Sequence, residues 1–145
     1  MEGMSTIVKK VSQLVAGLIF LYGIYIILHG HLTPGGGFAG GAIIAGAFIL
    51  LILANGSSAL NLRKEISGSS NTESVAILMV VILALMAMCL GLKVFFSNFL
   101  PLGNPGELIS AGVIPLYNIF IGIEVAGAIL TIFLALVIFK EESSK

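Results

Sequence analysis

Four runs of roughly twenty apolar residues, parted by polar joins, leave this chain few folds to choose from. A helix rising 1.5 Å per residue needs about 20 residues to cross ~30 Å of hydrocarbon. Backbone polar groups inside a bilayer must be satisfied within the chain, which selects helices over open strands. The expected fold is therefore all-α and polytopic, with four transmembrane helices in two hairpins and one membrane domain over residues 1–145. The spans are expected near residues 8–28, 34–54, 75–96 and 113–139, with a polar loop over 55–74 that holds at most a short amphipathic turn at 62–66. No small-residue cleavage site follows the first run, so that helix reads as uncleaved.

Charge supports this and sets an orientation. Only 10% of residues are charged, against about 25% in soluble domains. Lys9 and Lys10 precede the first span, Arg63 and Lys64 lie in the middle loop, and Lys140 and Lys145 follow the last. The positive-inside rule then places both termini and the 55–74 loop in the cytoplasm of a multi-pass plasma-membrane protein. The joins around 29–41 and 97–112 face outward. A net charge of zero gives no sign of a nucleic-acid partner. The single cysteine, Cys89, has no mate for a disulfide and reads as a small apolar filler.

Catalytic patterns do not stand out. The chain has no aspartate, no Ser/His/Asp set and no CxxC pair. The "GGGFAGG" stretch opens a membrane helix, with no preceding strand and no Lys-Ser/Thr ending, so it is no phosphate loop. We expect no metal site, no cofactor and no enzymatic activity of the chain alone.

The join "HGHLTPGGGFAGG", His29 to Gly41, carries more information. Thr33 is a good N-cap and Pro34 suits a first helical position, which places the start of the second span at Pro34. Gly37, Gly41 and Ala45 recur every four residues, as do Gly36 and Gly40. The last span repeats the device at Gly122 and Ala126. Small residues at this spacing let another backbone approach closely. Pro34, Gly36, Gly37, Gly40, Gly41, Gly122 and Ala126 are therefore the expected packing positions, partly inside the bundle and partly against other membrane subunits. The open N–H groups of Gly35 to Gly37 would meet a carboxylate or a partner's carbonyl.

Four ionisable residues near or in the spans are candidates for an ion path. Glu124 falls near the middle of the fourth span, where a carboxylate must pair, reach water or stay protonated. Lys93 falls in the expected third span, near its outer end. Either the two form a structural ion pair, or Glu124 lines a hydrated route for protons or sodium. Histidine as a residue type titrates near neutral pH, so His29 and His31 would pass protons or simply close the join with hydrogen bonds. Asn118, Thr131, Ser12 and Gln13 are further polar groups in the spans, with no specific signal.

The PGGGF join with its following glycine pair resembles the B subunit of Mrp/Mnh-type multisubunit sodium–proton antiporters. It is equally similar to the related subunit of membrane-bound hydrogenase and sulfur-reducing complexes. "SAGVIPLYNIFIGIEV", Ser110 to Val125, resembles the way that family opens its last helix. The resemblance implies a non-catalytic subunit of an ion-translocating complex, beside antiporter-like subunits and bordering a sodium or proton route. A purely structural scaffold is the alternative, and a small homo-oligomeric channel a third.

Overall fold

The computed structural model describes residues 3–56 and 62–143. They form four helices: α1 (Thr6–Leu28), α2 (Gly36–Asn55), α3 (Leu62–Cys89) and α4 (Ile114–Ser143). Each is long and apolar enough to cross a membrane, and no strand occurs among the described residues. α2 lies between α1 and α4, and α3 rests on the far side of α4. The order across the bundle is thus α1–α2–α4–α3, with α1 also touching α4 and α3 leaning almost wholly on α4. The two hairpins, α1–α2 and α3–α4, meet through the α2–α4 seam.

The interior is built of small residues. Ala16, Ala45, Ala47, Ala54, Ala84 and Ala87 are buried, while among the described residues Leu134 is the one large side chain buried completely. Helices in lipid gain little from hiding apolar area and associate instead by close backbone approach. The glycines show this directly. Gly37 and Gly41 face Asn118, Gly122 and Val125 of α4, and Gly40 faces Gly23 and Ile27 of α1. Ile27 in turn fills the notch over Gly122. Both glycine rows of α2 are therefore used inside the chain, not against another subunit as part of the sequence reading had them.

Several boundaries differ from expectation: α1 starts two residues early at Thr6 and α4 runs on to Ser143, past residue 139. α2 begins at Gly36 rather than Pro34. The Thr33 hydroxyl donates to the carbonyl of His29 at 3.1 Å, closing the end of α1 instead of capping α2. Gly35 (φ 133°) and Gly36 (φ 61°) then take the chain through conformations open mainly to glycine. Pro34 stays exposed in this turn.

The larger difference is α3, which starts at Leu62 instead of Val75. Residues 57–61 of the expected loop lie outside the described residues, but 62–74 are helical. Polar composition argued for a loop because Ser, Thr and Asn compete for backbone groups. Here those groups are satisfied on the helix. The Thr72 hydroxyl donates to the Gly68 carbonyl and Ser74 to Ser70, each at 2.9 Å. Ser69 donates across to the Gly127 carbonyl of α4 at 2.7 Å. At its other end α3 stops at Cys89, short of Phe96, through a glycine C-cap. Gly91 (φ 85°) sends its N–H to Met88 at 3.0 Å, and Leu92 sends its own to Ala87 at 3.1 Å.

The connection from α3 to α4 is organised by Asn98. Its carboxamide oxygen accepts from Leu100 N at 3.3 Å and from Val113 N at 3.0 Å, which fixes the approach to α4. The Ser5 hydroxyl caps α1 by accepting from Val8 N at 3.5 Å. Met4 N donates to the Ala54 carbonyl at 3.0 Å, tying the start of α1 to the end of α2.

Candidate functional site

At the end of the bundle that carries the 29–35 join, the two histidines are held by different partners. His29 is half-buried, its ring stacked on Tyr25 at a centroid distance of 4.1 Å, with Nδ1 2.9 Å from the Tyr25 carbonyl. It folds back on its own helix. His31 reaches the other way, Nε2 lying 3.2 Å from the Glu107 carbonyl of the α3–α4 connection. A neutral ring that donates from Nε2 leaves Nδ1 as an acceptor, and that atom is buried without a partner among the described residues. Among the described residues no three His, Cys, Asp or Glu side chains gather as a metal site would require.

Asn118 sits where the join crosses α4. Its side-chain oxygen accepts from Gly37 N at 3.3 Å. The acceptor expected for the open start of α2 is thus supplied from within the chain. The Asn118 amide nitrogen and the neighbouring Tyr117 hydroxyl are buried and have no partner among the described residues. Asn118 passed as nonspecific in the sequence. The pointer to it was the exposed N–H run of Gly35 to Gly37, which demands a short acceptor on whatever helix crosses it.

Glu124 is half-buried on α4, ten residues or ~15 Å from Ile114. Its neighbour Val125 is buried against Gly41. Lys93 lies outside α3, exposed in the segment after the Gly91 cap, and not in a span as expected. The chain does not bring Glu124, Lys93, His29 and His31 together: the histidines and Lys93 lie at the join end, Glu124 near mid-span.

What lies near the level of Glu124 is the polar half of α3. A side chain at Gly127 would meet Ser69 and Glu73, and Ser69 bonds the Gly127 carbonyl. Glu73 and Glu124 therefore stand within about one turn of each other in level, on adjacent helices. Glu65, Ser69 and Thr72 also form one wall of a cavity of about 540 Å³, whose other walls include Phe20, Ile44 and Ala126. Reading 55–74 as a surface loop hid all of these residues.

A family model described as a domain related to the MnhB subunit of Na+/H+ antiporter matches residues 7–131. The chain belongs to the MnhB family. A Staphylococcus aureus relative named as antiporter subunit mnhB2 is 31% identical over 94% of this chain and 96% of its own length. An uncharacterised protein of Methanocaldococcus jannaschii is 36% identical over 86% of this chain. Among solved structures, a chain of the membrane-bound sulfane sulfur reductase, an archaeal respiratory membrane complex, superposes with a TM-score of 0.74 at 36% identity. That match covers 89% of the present chain and 56% of the other. This MnhB chain thus spans about half the length of the archaeal relatives (49% and 56%) and nearly all of the staphylococcal one. The family and the four membrane-crossing helices agree with the resemblance in the PGGGF join and the Ser110–Val125 stretch.

Proposed function

We propose that the chain is a non-catalytic membrane subunit of a multisubunit sodium–proton antiporter, or of a related redox-driven ion-pumping complex. It would pack beside antiporter-like subunits, with both termini and the α2–α3 connection in the cytoplasm. The observation that carries this reading is the MnhB match over residues 7–131. In keeping with it, Val75, Leu78, Leu85 and Met88 of α3 and Ile7, Leu14 and Leu21 of α1 are exposed along the outer helices. Such surfaces are available to lipid or to neighbouring subunits.

Within the complex, Glu124 is the group we assign to an ion route. A half-buried carboxylate near mid-span, with Lys93 outside the spans, needs water, a proton or a group from a neighbouring subunit. The test is Glu124→Gln in membrane vesicles carrying the whole complex, with sodium/proton exchange and subunit recovery read from the same preparation. An ion-route role predicts assembled complex with lost or shifted exchange. Unchanged exchange in assembled complex would remove Glu124 from the route, and loss of assembly would make it a structural group.

A further inference from the structure

The registers between helices place the polar half of α3 deep in the bundle. α2 and α4 run side by side in parallel, with Gly37 opposite Ile121 and Gly122 and Gly41 opposite Val125 and Ala126. Carried on at that offset, Asn55 stands level with Phe139 and Lys140. α3 runs antiparallel to α4, with Ser69 and Glu73 opposite Gly127. Gly127 is thirteen residues from Lys140, roughly 20 Å along the helix and well into the hydrocarbon thickness. Asn71 shares that level, Ser67 lies about one turn nearer the Lys140 end, and Ser74 is level with Glu124.

Ser67, Asn71, Ser74, Leu78 and Leu85 follow one another at steps of three, four and seven. They share a face of α3 turned largely away from α4, with Asn71 at its edge bordering a groove to Phe120 and Ile123 of α4, and all five are exposed. Halfway along, this face changes from hydroxyl and amide groups to hydrocarbon. Among the described residues α3 packs almost wholly on α4, which leaves that side of it without a closely packed helix. Lipid tails suit Leu78 and Leu85 but offer nothing to Asn71, whose amide bonds neither a helix neighbour nor another element among the described residues. Small hydroxyl residues also allow close backbone approach, and polar side chains hydrogen-bond across helices in membranes.

We propose that the Ser67–Asn71–Ser74 face is the seam at which a transmembrane helix of a partner subunit docks, presenting small residues and at least one hydrogen-bonding side chain to Asn71. This rests on the reading of the chain as one subunit of a larger complex and adds which face is covered and by what.

The test uses the intact complex in native membranes. In a Cys89→Ser background, Ser67→Cys, Asn71→Cys, Ser74→Cys and a Ser143→Cys control are treated with a sulfonated maleimide or with benzophenone-maleimide and light. We expect the three seam positions to react at least ~10-fold more slowly than the control with the water-soluble reagent, and to recover in SDS. We also expect benzophenone adducts with another membrane polypeptide. Labelling at the control rate would mean a water-filled vestibule, and adducts with lipid alone an exposed face; either overturns the seam. Recovery of this chain alone in a tagged pulldown of the same membranes would instead overturn the subunit reading itself. Complex that is recovered intact without partner adducts at any of the three positions overturns only the seam.

Discussion

Adding a methyl group to α2 at two glycines five residues apart should move stability in opposite directions. A methyl on Gly41 would lie 2.5 Å from the Gly122 carbonyl oxygen and 3.2 Å from Ala126 N, both backbone atoms of α4. Neither can rotate away, so α2 and α4 must part by several tenths of an ångström along the seam that joins the two hairpins. Overpacking of this kind costs about 1–3 kcal/mol, and the alanine recovers about 1 kcal/mol of helix propensity. The net expectation for Gly41→Ala is a loss of ~0–2 kcal/mol. Gly46 has nothing within 4 Å of the same added atom. Gly46→Ala keeps only the propensity gain, up to ~1 kcal/mol. The propensity gain is common to both, so the two variants should differ by the overpacking cost, ~1–3 kcal/mol, roughly 5- to 150-fold in the unfolding equilibrium. Equilibrium unfolding by SDS in mixed micelles, followed by circular dichroism, reads this difference. Equal effects of the two substitutions would show that α2 and α4 do not meet at Gly41, and the helix order α1–α2–α4–α3 would fall with it.

Three further outcomes follow from single contacts. Ser69→Ala removes the 2.7 Å bond to the Gly127 carbonyl and should cost about 0.5–1.5 kcal/mol in the same unfolding assay; no loss would question the α3–α4 register. Asn118→Leu leaves Gly37 N without its 3.3 Å acceptor and should cost about 1–3 kcal/mol, with part recovered in Asn118→Asp; equal losses in both would assign the effect to packing. Lys93→Gln should leave exchange and assembly at wild-type levels, because Lys93 is exposed beyond α3; a defect matching that of Glu124→Gln would restore the ion pair.

The four spans were legible because a bilayer imposes one length and one polarity on each crossing, and both are local properties of the sequence. The glycine rows were legible as packing surfaces for the same reason. Their partners were not, since Gly37 and Gly41 are read against Gly122 and Val125 across more than eighty residues of chain. Spacing alone does not say whether such a face meets its own chain or another. Two misreadings came from local rules overridden by contacts. Thr33-Pro34 looks like a helix start, yet the hydroxyl is engaged by the His29 carbonyl. Residues 62–74 look like a loop by composition, yet their hydroxyls bond back along the helix or across to Gly127. Lys93 moved out of its helix because Gly91, tolerable inside a membrane helix, here serves as its C-cap. Glu124 fell where its count along the span said it would, but its neighbours Glu73 and Ser69 became visible only once α3 had a register.

Membership of a larger assembly is the claim on which the rest depends, and native mass spectrometry of the tagged chain from its own membranes in mild detergent addresses it most directly. The account predicts a particle containing this 15.1 kDa chain together with several different membrane polypeptides. A particle whose mass is a whole multiple of this chain alone would contradict it.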